Sequence, residues 1–152
     1  MLNKTNWEQT KQRWNAYWHR NLTGLPLMCI VAEKPDAVDP ERSAFLKARD
    51  MYDKYRDAAR IAERYRYWAE THAFLADSFP NVSLDFGPGS MAAYLGSEIT
   101  FSPGTVWFSE CVEEWDGYPA LQFDPENKWY REHIQLFRDV RRLAGDDYYL
   151  AI

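Results

Sequence analysis

Two rhythms of apolar positions organise the 152 residues. Trp7, Trp14, Tyr17 and Trp18 recur at helical spacing on one stripe, which predicts a first helix. Thr5 or Asn6 can cap it, Glu8 and Gln9 stand in its opening turn, and it should end near Asn21, before Gly24 and Pro26. Leu27-Met28-Cys29-Ile30-Val31-Ala32 is instead a continuous apolar run of strand length. Continuity rather than alternation predicts a strand buried on both faces of a parallel sheet. Pro35 and Pro40 bound the loop behind it.

A long helical segment is expected from about Ser43 to Asp77, broken near Asp50. Its second half carries Tyr55, Ala58, Ala59, Ala62, Tyr65, Ala69 and His72 or Ala73 at spacings of three and four, and Pro80 stops it. Asn81-Val82-Ser83-Leu84-Asp85-Phe86 alternates with period two and predicts a second strand. Gly87-Pro88-Gly89 is a sharp turn, and Ser90 can cap a short helix to Leu95-Gly96. Glu98–Phe101 and Thr105–Phe108 flank Ser102-Pro103-Gly104 and predict a hairpin. Asp124-Pro125-Glu126 should open the last helix, whose buried stripe is Trp129, His133 or Ile134, Phe137, Val140 and Leu143 or Ala144. Gly145 ends that helix, Asp146-Asp147 turn, and Tyr148–Ile152 reads as a buried strand.

The fold class expected is α/β: an N-terminal helix, then a βαβαβ run with an inserted hairpin. Residues 1–152 read as one domain, with the helix in 1–24 and the hairpin insertion in 97–120. The start of an eight-stranded β/α (TIM-type) barrel and a small open sheet both fit this order. The last strand has no successor, so an incomplete barrel is expected, its remainder lying in a longer protein. The alternative is a stand-alone oligomerising module in which exposed strand edges at Leu27–Ala32 or Tyr148–Ile152 join copies into a homo-oligomer.

Composition narrows the partners. Aromatic residues make up 16 %, which serves either a core of large rings or an aromatic-lined pocket for a small flat ligand. A net charge of −5 argues against nucleic acid. Arg60, Arg64 and Arg66 interleave with acids, as on a solvated helix face. Cys29 and Cys111 lack metal-type spacing and read as buried thiols in a reducing compartment. No signal core and no run of ~18 apolar residues is present, so a cytoplasmic location without a membrane partner is expected.

Asp85 is the leading catalytic candidate, because barrel sites sit at the carboxyl ends of strands; the plain alternative is a carboxylate capping the next turn. Gly87, Gly89 and Ser90 could bring backbone close to a ligand or offer N–H donors to an anion, or simply make a tight turn. His72 is a ligand-binding candidate on the alanine-rich helix, with a packing role as the alternative. Trp107 and Trp115, on or after the hairpin, could cover a flat ligand or serve packing. His19 and His133 have no partner at metal spacing, and no metal site is expected; Glu110, Glu113 and Glu114 fit a solvated loop.

Several of these pieces, in order, resemble the uroporphyrinogen decarboxylase-like family of β/α barrels, which includes porphyrinogen decarboxylases and corrinoid-dependent methyltransferases. Asn6-Trp7 through Trp18 resembles the opening helix of a bacterial branch. Leu25-Pro26-Leu27-Met28 resembles its Arg-Pro-Leu-Leu entry to the first strand. Phe86-Gly87-Pro88-Gly89-Ser90 with Leu95-Gly96 resembles its Leu-Gly-Pro-Gly turn and Leu-Gly stop. Thr105-Val106-Trp107-Phe108 resembles its Thr-Val-Trp stretch, and Arg142-Leu143-Ala144-Gly145 before Tyr149-Leu150 its approach to the third strand. The resemblance implies a full-length decarboxylase or methyltransferase-like enzyme, with this chain alone inactive. It implies zinc or corrinoid for a full-length relative and no cofactor in this chain, the methyltransferase zinc ligands falling beyond Ile152. Decarboxylases place an arginine-rich loop after the first strand and an aspartate at the end of the second. Val31–Asp36 has no arginine, and Asp85 lies a residue or two out of register, which argues against uroporphyrinogen decarboxylation itself.

Overall fold

The computed structural model describes residues 3–151. In order it contains α1 (Trp7–Trp18), β1 (Cys29–Glu33), a 3-10 turn (Pro35–Ala37), α2 (Pro40–Leu46), α3 (Met51–Tyr55), α4 (Ala58–Thr71), β2 (His72–Ala76), β3 (Asn81–Ser83), α5 (Ser90–Tyr94), β4 (Ile99–Phe101), β5 (Val106–Phe108), α6 (Lys128–Ala144) and β6 (Tyr149–Ala151). The strands form separate pairs: β1–β2 antiparallel, β3–β6 parallel and β4–β5 antiparallel. The chain is thus mixed α/β with small sheets.

Capping carboxylates cut the expected long helix into three. Asp39 accepts from the N–H groups of Glu41 and Arg42, Asp50 from Asp53, and Asp57 from Ala59 and Arg60. Each satisfies donors that a helix start leaves open, so each favours a new beginning over continuation. The segment also stops earlier than expected. His72–Ala76 leaves the helix and pairs with β1, from Cys29 opposite Ala76 to Glu33 opposite His72. Those residues carry no strand pattern of their own; the long-range pairing overrides their helix propensity.

The core lies on one face of β3. Val82, Leu84 and Phe86 are buried, while Asn81, Ser83 and Asp85 are exposed, as period two demands. Ile61 and Ala62 of α4 and Trp129, Leu136 and Val140 of α6 close over Leu84 and Phe86. Val82 packs with Ala144 and Tyr148. Full burial of one such large side chain is worth about 1.5–3 kcal/mol. Asn127, not Asp124, caps α6: its side-chain oxygen accepts from Trp129 N (2.9 Å) and Tyr130 N (3.1 Å). The hairpin forms as expected, Ile99 opposite Phe108 and Phe101 opposite Val106. The last strand pairs with β3; its expected final residue, Ile152, lies outside the described residues, as do Met1 and Leu2.

Three further expectations are corrected. The apolar run expected to be buried on both faces is exposed at every residue of β1, because it has one neighbour, β2, and runs antiparallel to it. The element order consequently contains a ribbon, β1–β2, ahead of the only parallel pair among the described residues. Cys29 is exposed and Cys111 half-buried rather than buried, Cys29 following the exposure of its strand. The arginines expected on a solvated face are tied down. Arg60 and Arg64 donate to the buried Asp53 carboxylate (3.2 and 2.8 Å), and Arg66 donates to Asp147 (2.8 Å). Burial alone would raise the Asp53 pKa; the Arg49 N–H and the guanidiniums of Arg64, Arg49 and Arg60 hold it far below the usual range.

Candidate functional site: the turn at the carboxyl end of β3

Where β3 runs out, the chain turns through Asp85–Ser90 into α5. The Asp85 carboxylate is exposed, accepting the Gly87 N–H (2.7 Å) and the Ser83 hydroxyl (3.0 Å). This is an Asx-type turn, formed between near neighbours. Ser90 completes it, accepting from Phe86 N (3.2 Å) and donating to the Gly87 carbonyl (2.8 Å). Ser90 is therefore the turn's clamp rather than the side-chain cap of α5, which starts from Gly89 without a side-chain cap bond.

The two glycines owe their identity to the hairpin. Gly87 has φ +104°, a region L side chains rarely adopt, and an added Cβ would lie 3.1 Å from Val106. At Gly89 it would lie 2.5 Å from the Phe108 ring. The hairpin thus packs against the turn, and Trp107, between those two residues, stands out from it 66 % exposed. Trp115 is exposed too and packs edge-on to Tyr118.

Behind the turn lies a set of rings that the sequence pattern did not single out for this role. Tyr65 donates its hydroxyl to the Ser83 carbonyl (3.1 Å). His133, 1 % exposed, donates Nε2–H to the carbonyl of Leu84 (2.7 Å), so its Nδ1 accepts the Tyr94 hydroxyl. Its ring lies against Phe86, centroids 4.7 Å apart. Burial raises the pKa of both Tyr65 and Tyr94, and the negative charge of Asp85 raises each further. The stripe position of His133 was readable; its bond to Leu84, 49 residues away, was not.

His72 belongs elsewhere. It begins β2 rather than riding a helix, and its Nδ1 is 2.9 Å from the Trp68 carbonyl and 3.1 Å from the Thr71 hydroxyl. The structure thus brings Asp85, Gly87, Gly89 and Ser90 together, sets the hairpin of Trp107 beside them, and leaves His72 on the ribbon. No group of three or more His, Cys, Asp or Glu side chains among the described residues is placed to hold a metal.

Two buried charges escaped the sequence reading. Asp77, 4 % exposed, accepts from Arg13 Nε (2.7 Å) and Met28 N (3.0 Å). Its carbonyl accepts the Trp14 indole N–H (2.8 Å). The Arg13 hydrogen bond holds its pKa below the usual value. Lys4, 7 % exposed, donates to the carbonyls of Phe74 (3.3 Å) and Ala76 (2.6 Å), and burial lowers its pKa. Together they fasten α1 to the ribbon. Between α1, the ribbon and β3 runs a groove of about 980 Å³, lined by Trp7, Trp14, Trp18, Trp68 and Phe79 with Asn81 at the β3 side.

Set against family models, curated proteins and solved structures, the chain matches none. No helix among the described residues is long and apolar enough to cross a membrane.

Proposed function

We propose that this chain is the N-terminal part of a uroporphyrinogen decarboxylase-like β/α barrel whose ligand lies over the carboxyl end of β3. The observation that carries the reading is the parallel pairing of β3 and β6, with α6 between them in sequence and α4 beside it over the same core. In parallel sheets covered by helices, ligands sit outside the carboxyl ends of the strands, and Asp85 stands at that end. The complete protein acts as a decarboxylase or corrinoid-dependent methyltransferase-like enzyme on a tetrapyrrole-related compound or a methyl donor. In that reading Asp85 is the polar contact to the ligand, and zinc or corrinoid, where used, is held by later segments. This chain alone is inactive.

An immunoblot of the native protein in its source cells tests the reading. A band above ~27 kDa, the size of a barrel of roughly 250 residues, is expected. A band at 18.0 kDa contradicts it. Turnover of uroporphyrinogen or of a methylated corrinoid by purified 1–152 would contradict the inactivity of the part. A second reading, a stand-alone oligomerising module without catalysis, draws support from one observation, the open edge of β1.

A further inference from the structure

The β1–β2 ribbon has two outer edges, treated differently. On the β2 side, the outward carbonyls of Phe74 and Ala76 are taken by the buried Lys4 ammonium. A lysine there is a known way to keep a strand edge from pairing. On the β1 side nothing comparable exists among the described residues. Asp77 N donates to the Met28 carbonyl and Lys34 N to the Thr71 carbonyl, which marks Met28, Ile30, Ala32 and Lys34 as the residues bonded toward β2. Cys29, Val31 and Glu33 therefore turn their N–H and C=O groups outward. All of β1 is exposed, and on one face of the ribbon Ile30 and Leu75 are 47 % and 50 % exposed.

We propose that the open edge of β1 pairs antiparallel with β1 of a second copy of this chain, about a two-fold axis at Val31. This names the edge and register for the oligomerising reading, on which it rests. The edge is self-complementary in that register. Val31 meets Val31 of the second copy, and Cys29 meets Glu33, so every outward N–H and C=O of these residues finds a partner. No like charges oppose: Glu33 faces a thiol, and Lys34 falls opposite Met28 of the second copy. On the apolar face Ile30 comes beside Ala32 of the second copy, extending the strip that Leu75 begins. The β2 edge cannot serve, since Lys4 occupies it, and a two-fold antiparallel pair closes on itself without propagating. A contact of one five-residue strand per copy falls in the small-interface class, under about 1,200 Å², so the dimer is concentration-dependent.

Sedimentation equilibrium over a concentration series tests this, with circular dichroism as the fold control. The chain is expected to move from 18.0 kDa toward twice that mass as concentration rises. Val31→Pro removes an N–H that bonds nothing among the described residues, and should raise the dimer dissociation constant at least about tenfold while leaving the fold intact. Should that variant not fold, Glu33→Cys supplies the readout. Its new thiol stands opposite Cys29 of the second copy, at a separation a disulfide can span. Mild oxidation should give a reducible dimer that disappears when Cys29→Ser is added. A monomer at every concentration, a dimer indifferent to Val31→Pro, or no Cys29-dependent cross-link overturns the proposal. None of these outcomes depends on the native mass, so the barrel reading stands or falls separately.

Discussion

The β3–β6 pair and the β1–β2 ribbon are both two-stranded, yet their surroundings are opposite. β3 alternates, and Val82, Leu84 and Phe86 go under α4 and α6 while Asn81, Ser83 and Asp85 stay outside. β1 is apolar almost throughout, and all of it is exposed. The more hydrophobic strand is thus the less buried one. Two strands alone are marginal in water; packing against helices is what makes the parallel pair secure. The ribbon is held from its ends and its β2 edge, by Arg13–Asp77, Trp14 and Lys4.

Truncation should expose this contrast most strongly. Phe86→Ala, in the fully buried core, is expected to cost about 3–5 kcal/mol in urea unfolding. Ile30→Ala on the ribbon should cost no more than about 0.5 kcal/mol, as exposed substitutions usually do. Equal losses would mean that the ribbon carries as much of the core as β3.

Acid should loosen the ribbon, and the helix α4 that covers the parallel pair, through buried carboxylates. Asp77 and Asp53 both have folded pKa values below their ordinary 3.8. A depressed carboxylate contributes stability that is present above its unfolded pKa and lost as pH falls through the folded one. Stability should therefore fall below about pH 4. Asp77→Asn should remove part of that slope and detach α1 from the ribbon, at about 1–3 kcal/mol at neutral pH. An unchanged slope would place the acid-sensitive groups elsewhere.

At alkaline pH the parallel pair should respond through Tyr148. Burial pushes Tyr148, just before β6, up to about 12, and its hydroxyl donates to the Ala62 carbonyl (3.1 Å). A raised pKa means stability present below the ordinary value of 10.0 and lost as pH rises toward 12. Tyr148→Phe should cost about 1 kcal/mol at neutral pH and remove the latest phenolate absorbance step. The smallest effect is at the α6 cap. Asn127→Ala should cost about 0.5–1 kcal/mol, while Asp124→Ala, one turn earlier, should cost less.

What could be read from the chain follows the range of the interactions. The alternation of Asn81–Phe86, the Ser102-Pro103-Gly104 hairpin and the Gly87-Pro88-Gly89 turn depend on near neighbours, and all were legible. The β2 strand was not, because Ala73, Leu75 and Ala76 suit a helix and only pairing with β1 makes them a strand. The exposure of β1 was missed for a related reason: an apolar run records no count of neighbours. Arg13–Asp77, 64 residues apart, and Tyr94–His133, 39 apart, leave no local pattern to find.

Amide hydrogen exchange at a concentration where the chain is monomeric tests the contrast most directly. Leu84 and Tyr149, whose N–H groups bond across the parallel pair to Ala151 and Pro80, should exchange only with global unfolding. Cys29, Val31 and Glu33 should exchange near the rate of free amides. Protection at Val31 equal to that at Leu84 in the monomer would contradict the account, because it would mean that the edge described as open is already covered.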